Sequence, residues 1–455
     1  MTECCVCFDE TTNFTSCGHS VCLSCIEKIK KTCPMCRQEL FKIILSNLNI
    51  HKFISSSSGD FSNKSICLLS ENLFVGFNNL SYIDFSFNQI VSLPEKLLNG
   101  LDNLDTIDFS YNQIVSLHEN LFNGLVNLKR IAFSHNQIES LPENLFVGLI
   151  NLYSISFSHN QIVSLTEKLF VGLGKLECID FSNNQIVSLP EKLLNGLGKL
   201  DTIDFSGNKI KLLSEKLFNG LDHLEFIRFS HNEIVSLPEK LFNGLVNLKK
   251  ISFSHYNQIV SLPENLFNCL DNLSFINFSN NNISLLPEKL FVGLKKLDTI
   301  NFSDNQIVSL PEKLFGGLKK LKCISFSNNQ IVSLHEKLFI GLGTLDSIDF
   351  SNNKIVSLPE NLFFGLINLN SISFSYNQIV SLPENLFVGL INLNSISFSY
   401  NQIESLHKKL FNGLVKIERI NFAHNEFGSF NDYLFVDLNN LKIFYYLHFQ
   451  LIFYR

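Results

Sequence analysis

Leu80-Ser81-Tyr82-Ile83-Asp84-Phe85-Ser86-Phe87-Asn88-Gln89-Ile90-Val91-Ser92-Leu93-Pro94-Glu95-Lys96-Leu97-Leu98-Asn99-Gly100-Leu101 is one turn of the pattern that decides the fold. Its asparagine recurs as Asn88, Asn112, Asn136, Asn160, Asn184, Asn208 and Asn232 at a spacing of 24, then as Asn257 after 25, then from Asn281 to Asn425 at 24 again. A period held over fifteen marks identifies an array whose units stack to bury a face that none could bury alone. Ile83 and Phe85 alternate with Asp84 and Ser86. This is the period-two signature of a short strand with one face inward, so successive units are expected to align parallel strands in one curved sheet. Ile90, Leu93, Leu97 and Leu101 meet the same core from the returning limb. Pro94 and Glu95 read as the opening of a helical turn, Pro by its fixed φ and Glu by its charge near the positive end of the dipole. Gly100 lets the chain turn back. Asn88 stands at the bend, where its amide can satisfy backbone groups of adjacent coils.

The unit is similar to the leucine-rich repeat, and the resemblance runs from about residue 59 to the end. It implies an α/β chain whose main body is a leucine-rich-repeat solenoid, a horseshoe with a parallel β-sheet on its concave face. Of the 44 phenylalanines, one column runs from Phe61 through Phe85 to Phe422 and a second from Phe74 through Phe122 to Phe435, both at inward positions and therefore core packing. The first unit, Gly59 to Ile66, is degenerate, with Gly59 for the strand Ile and Lys64 for the ladder Asn, as suits an end. The expected boundaries are 1–37 for a cysteine-rich module and 38–58 for an apolar helix with a Ser-rich connector. Residues 59–438 form the solenoid and 439–455 a closing strand. The helix could either cap the solenoid or pair with a second copy of the N-terminal module.

Composition removes several function classes. The 36 Lys+Arg against 42 Asp+Glu give a net charge of −6, and no basic stripe emerges, which argues against nucleic acid. With 45% hydrophobic and 17% charged residues the chain should fold, yet no apolar run reaches membrane-spanning length. Met1-Thr2-Glu3-Cys4 does not resemble a secretory leader, so a reducing, cytoplasmic setting is expected. No Gly-rich phosphate loop, paired nucleophile or His-Glu metal helix is present. Cys67, Cys178, Cys269 and Cys323 are scattered singly and read as small hydrophobes.

Eight of the 12 cysteines lie in the first 36 residues. The ordered ligands are Cys4, Cys7, Cys17, His19, Cys22, Cys25, Cys33 and Cys36, enough for two tetrahedral zinc sites. Cys-x-x-Cys pairs let two thiolates converge on one ion. So short a segment has almost no core, and metal binding at roughly 10–16 kcal/mol per site would supply its folding free energy. A disulfide cluster is the poorer reading in a chain without an export signal.

Three cysteines, one histidine and four cysteines in this order, with Cys17-Gly18-His19 and Cys33-Pro34-Met35-Cys36-Arg37, resemble a RING finger over residues 4–37. A PHD finger would place its histidine one ligand later. Phe14, Val21 and Ile26 fall where RING domains keep their few buried side chains. The resemblance implies a cross-brace, with Cys4, Cys7, Cys22 and Cys25 on one zinc and Cys17, His19, Cys33 and Cys36 on the other, leaving Cys5 unligated. It further implies a ubiquitin ligase whose groove for a ubiquitin-conjugating enzyme is formed by Val6, Ile29 and Pro34. Many such ligases carry Trp where Ile29 stands. Arg37 would bridge ubiquitin and that enzyme through its rigid fork of donors, so catalysis would be by positioning, without a covalent intermediate. The implied partners are the conjugating enzyme, ubiquitin and a protein substrate on the repeats, with neither nucleic acid nor membrane, and a RING dimer is open to it.

A non-enzymatic zinc adaptor is the first alternative. A surface receptor ranks last, because the sequons Asn277-Phe278-Ser279 and Asn301-Phe302-Ser303 fall in strands and no cysteine caps flank the repeats. For the substrate surface, the column Phe87, Tyr111, His135, His159 continues to Tyr376, Tyr400 and His424, residue types that anchor protein contacts, although neutral variation in a repeat array would also yield it. Strand positions such as Asp105, Asp108, Lys129 and Arg130 mix signs. His255-Tyr256 breaks the period once, as a local bulge, and residues 361–384 and 385–408 are near-duplicates, which points to tandem expansion.

Overall fold

A computed structural model describes residues 2–3, 10–11, 43–45, 47–428, 432–435, 438–447 and 449–452. The chain forms two compact units, Met1–Ile186 with Lys192–Leu197, and Val187–Glu191 with Gly198–Arg455.

In the first unit the strands Ser58–Asp60, Tyr82–Asp84, Thr106–Asp108, Arg130–Ala132, Ser154–Ser156 and Cys178–Asp180 pair in parallel with a shift of one repeat per step. Each is only three residues long, with its central Ile buried and its flanking side chains half-exposed or exposed, as the alternation of Ile83 with Tyr82 and Asp84 dictates. Gly59 is the exception: a Cβ there would lie 2.6 Å from the Phe61 ring, so the end unit needs glycine in place of the repeat's Ile. The segment expected as a helix and flexible connector already carries structure. Ile43–Leu45 pairs with Ile66–Leu69, Asn47–Phe53 is a 3-10 helix, and Ile54–Ser55 makes a hairpin with Ser58–Asp60. Leu45 and Ile50 are buried, so these two residues belong to the first coil's core.

In the second unit parallel strands run at the same pitch from Thr202–Asp204 to Arg419–Ala423, followed by Ile443–Leu447. The expected closing strand is a hairpin, since Phe449–Ile452 returns antiparallel on Ile443–Leu447. The inserted residue at His255-Tyr256 leaves the strands in register, Lys250 to Phe275 and Ile251 to Ile276. It is absorbed after the strand, where His255 and Tyr256 both take positive φ and Asn257 resumes the ladder.

Each unit is built on the same kind of core. Phe85 and Phe109 stack at 5.1 Å and Phe122 meets Phe133 edge-on at 6.1 Å, and the same two contacts recur along the array. The Asn ladder does what the bend demands. Asn136 Nδ2 donates to Phe109 O at 2.9 Å and Phe133 O at 3.1 Å, while its Oδ1 accepts from Ile114 N at 2.9 Å. Among the described residues no buried side-chain polar atom lacks a partner.

The returning limb is not α-helical. Leu97 N reaches Pro94 O, Asn99 N reaches Lys96 O and Leu101 N reaches Leu98 O, a run of i to i+3 turns closed by Gly100 at φ +80. Six residues are too few for a stable helical segment, and tight turns bury Leu97 and Leu98 side by side. The helices among the described residues are the two short 3-10 segments Asn47–Phe53 and Asp432–Phe435. No described helix is long and apolar enough to cross a membrane.

Candidate functional site

The zinc-ligand candidates Cys4, Cys7, Cys17, His19, Cys22, Cys25, Cys33 and Cys36, and Val6, Ile29, Pro34 and Arg37, lie outside the described residues. Close to them, Thr2–Glu3 pairs antiparallel with Glu10–Thr11, which brings together the ends of the segment bearing Cys4 and Cys7. Among the described residues no group of three or more His, Cys, Asp or Glu could hold a metal ion.

The solenoid's solvent-facing column is fully placed. In the first unit Phe87 stacks on Tyr111 at 4.3 Å, Tyr111 on His135 at 4.1 Å and His135 on His159 at 4.0 Å, and the Asn183 amide meets His159 Nε2 at 3.2 Å. In the second unit His231 stacks on His255, and Tyr376, Tyr400 and His424 form another stack at 4.1 and 4.0 Å. Each of these residues sits at φ near +55, as do Asn280, Asp304, Asn328 and Asn352, with Gly207 at +68. The left-handed region favours Gly, Asn and Asp, and costs other residues on the order of 1–3 kcal/mol. Backbone geometry therefore accounts for Asn183, Gly207, Asn280, Asp304, Asn328 and Asn352. It disfavours Phe87, Tyr111, Tyr376 and Tyr400, whose rings recover part of that cost by stacking.

Burial, then the neighbouring imidazole, pushes His135 below the usual histidine range; the same two causes lower His231 beside His255. On the strands, burial and then the backbone and side-chain bonds from Ser110 act in opposite directions on Asp108, and burial, reinforced by Asp84, leaves its carboxyl raised. Lys129 pairs with Asp105 at 2.5 Å and Lys249 with Glu225 at 2.5 Å, so the mixed signs read along the strands are partly neutralised from coil to coil. In the near-duplicate coils of the second unit Phe364 is 75% exposed and lines a shallow groove with Ile340, Glu336, Lys337 and Asn361.

Two features escaped the sequence reading. The first is a second asparagine ladder: the amides of Asn103, Asn127 and Asn151 donate to the carbonyls of Asn78, Asp102 and Val126 one coil back, and Asn368 and Asn392 repeat this on Gly343 and Ile367. Lysine takes the same position in other coils, at Lys175, Lys199, Lys296, Lys320 and Lys416, and masks the column. The second is the in-register set Asp60, Asp84 and Asp108, whose spacing of 24 was visible.

Family profiles agree with this arrangement. The profile "Zinc finger, C3HC4 type (RING finger)" matches residues 1–43, a leucine-rich-repeat profile matches four overlapping stretches from 78 to 210, and the BspA type leucine rich repeat region matches 187–321 and 308–442. No curated protein matches the chain. Among solved structures, a leucine-rich-repeat protein of Leptospira interrogans is 25% identical with a TM-score of 0.71, covering 82% of this chain and 91% of its own. The Drosophila Toll–Spatzle complex matches at 21% identity and a TM-score of 0.69, covering 87% of this chain and 55% of its own; that likeness concerns the fold alone. The chain belongs to the leucine-rich-repeat proteins, its repeats being of the BspA type over residues 187–442, and it carries a RING-type zinc finger at its N-terminus.

Proposed function

We propose that this protein is a RING-type E3 ubiquitin ligase, in which the N-terminal finger recruits a ubiquitin-loaded conjugating enzyme and the repeats hold a protein substrate. The observation that carries the reading is the fusion of a RING-finger match over residues 1–43 to an extended repeat surface with aromatic stacks exposed against backbone preference.

Zinc is the metal that such a finger implies, and the donors fit it. Seven thiols and one imidazole, grouped in close pairs, are the soft ligand set of closed tetrahedral sites, assigned to Cys4, Cys7, Cys22 and Cys25, and to Cys17, His19, Cys33 and Cys36. The ions supply folding free energy, not reactivity.

Chemistry then needs no nucleophile from this chain. Val6, Ile29 and Pro34 form the apolar notch on which the conjugating enzyme docks. Arg37 donates hydrogen bonds to that enzyme and to ubiquitin at once, which restricts the thioester to poses open to attack. The substrate's neutral lysine amine attacks the thioester carbonyl, the C–N bond forms as the C–S bond breaks, the conjugating enzyme's thiolate leaves, and the amine's surplus proton passes to solvent.

The test is single-turnover discharge of ubiquitin from loaded conjugating enzymes onto free lysine, run with the intact protein, Val6→Ala and Arg37→Ala. Acceleration by the intact protein that drops by roughly 10- to 100-fold in either variant supports the reading, the scale expected when positioning is lost. No acceleration across a broad panel of conjugating enzymes contradicts it and leaves a zinc-containing adaptor.

A further inference from the structure

The solvent face of the first three coils carries aspartate at the same strand position on three consecutive strands. Asp60, Asp84 and Asp108 stand in register on adjacent parallel strands. Each accepts a backbone N–H two residues on, from Ser62 at 3.0 Å, Ser86 at 2.7 Å and Ser110 at 2.7 Å. That turn does not require a charge, because Asn277 and Asn301 make the same bond to Ser279 and Ser303 at 3.0 and 2.9 Å. Three like charges side by side are a cost that asparagine would avoid. Asp105 has Lys129 as its ion-pair partner, whereas Asp60, Asp84 and Asp108 have no ion pair among the described residues.

Beside this charged row lies the aromatic one. Phe87 and Tyr111 are 56% and 44% exposed and take up a left-handed backbone conformation that six other coils fill with Asn, Asp or Gly. On the other flank Tyr82 donates its hydroxyl to Asp84 Oδ2 at 3.3 Å. An apolar stack bordered by unneutralised carboxylates is complementary to a chain that offers cations next to apolar side chains.

We propose that this face, centred on Phe87 and Tyr111 and bordered by Asp84 and Asp108, docks an extended protein segment bearing several Lys or Arg residues among apolar ones. The inference deepens the ligase reading by stating the chemistry of its substrate, and rests on the repeats being the substrate-holding part. The ammonium or guanidinium groups pair with the Asp84 and Asp108 carboxylates, and the apolar side chains cover the exposed ring edges.

The experiment measures fluorescence anisotropy of two labelled peptides, one alternating Lys with Leu and one alternating Glu with Leu, on the full-length protein, Asp84→Asn/Asp108→Asn and Phe87→Asn/Tyr111→Asn. Asparagine preserves the turn in the first variant and the left-handed conformation in the second. Thermal melting is followed on each, with single Asp84→Asn as the milder variant. Saturable binding of the lysine peptide alone is expected, weakened about tenfold or more in both double variants and by added salt. Equal binding of the glutamate peptide, undiminished binding by Asp84→Asn/Asp108→Asn, or no saturable binding by the intact protein would overturn the proposal. Substrate-free ubiquitin discharge, run on the same samples, separates the two claims. Retained discharge with no selectivity for the lysine peptide removes this docking surface alone, while absent discharge strikes the ligase reading independently of it.

Discussion

Asn136 bonds backbone groups of its own coil and of the coil before it, so its loss would strand buried carbonyls and an N–H that no water can reach. Asn136→Ala is expected to cost about 1–3 kcal/mol in chemical denaturation, and an unchanged midpoint would contradict the ladder's role. His135 makes the opposite kind of statement. Burial first, and the stacked His159 second, hold its folded-state value below the 6.5 of the free side chain. The unfolded chain therefore binds more protons than the folded one in the window just below 6.5, and stability rises with pH there. Lowering pH through that window should depress the melting midpoint more in the intact protein than in His135→Asn, since asparagine already serves at the equivalent Asn183. Identical pH profiles would refute this. Asp108 has the reverse sign: its folded-state value is raised, so it favours unfolding at neutral pH, and Asp108→Asn should leave the midpoint equal or higher.

At the scale of one coil, what was legible was what repetition repeats. Ile83 and Phe85 against Asp84 and Ser86 specified a strand, and the Asn column specified the bend. The returning limb was harder, because Pro94-Glu95 is a fair helix opening by local chemistry. Gly100 cuts the segment off after one short stretch, and i to i+3 closure wins because it buries Leu97 and Leu98 together. Within the connector, Ile43–Leu45 is strand for a related reason: its apolar run suits helix or strand, and only its distant partner Ile66–Leu69 decides between them. If coils are interchangeable, removal of residues 361–384 should leave a cooperatively folded chain, because residues 385–408 present nearly the same surfaces to the next coil. Circular dichroism should show one sharp transition. A broad, non-cooperative melt would show that coil identity matters.

For the molecule as a whole, two modules of different physics share one chain. The repeats hold their shape by stacked phenylalanines and by ladders of asparagine, and the finger has the ligand set of a peptide folded around metal. The repeat family was readable because a column such as Asn88 to Asn425 permits little else, and the finger because eight soft ligands at fixed spacings permit little else. The docking face was less readable, since it lies in register between coils: Asp60, Asp84 and Asp108 are far apart in the chain and adjacent only once the strands pair. All of the proposed chemistry at Val6, Ile29, Pro34 and Arg37 presupposes that residues 4–36 are organised by metal. The most direct measurement is therefore the zinc content of the intact, extensively dialysed protein by elemental mass spectrometry. Two zinc ions per chain are predicted, falling when Cys22→Ala and Cys33→Ala remove one ligand from each site. A chain that carries no zinc at any stage, yet still discharges ubiquitin, would contradict the account.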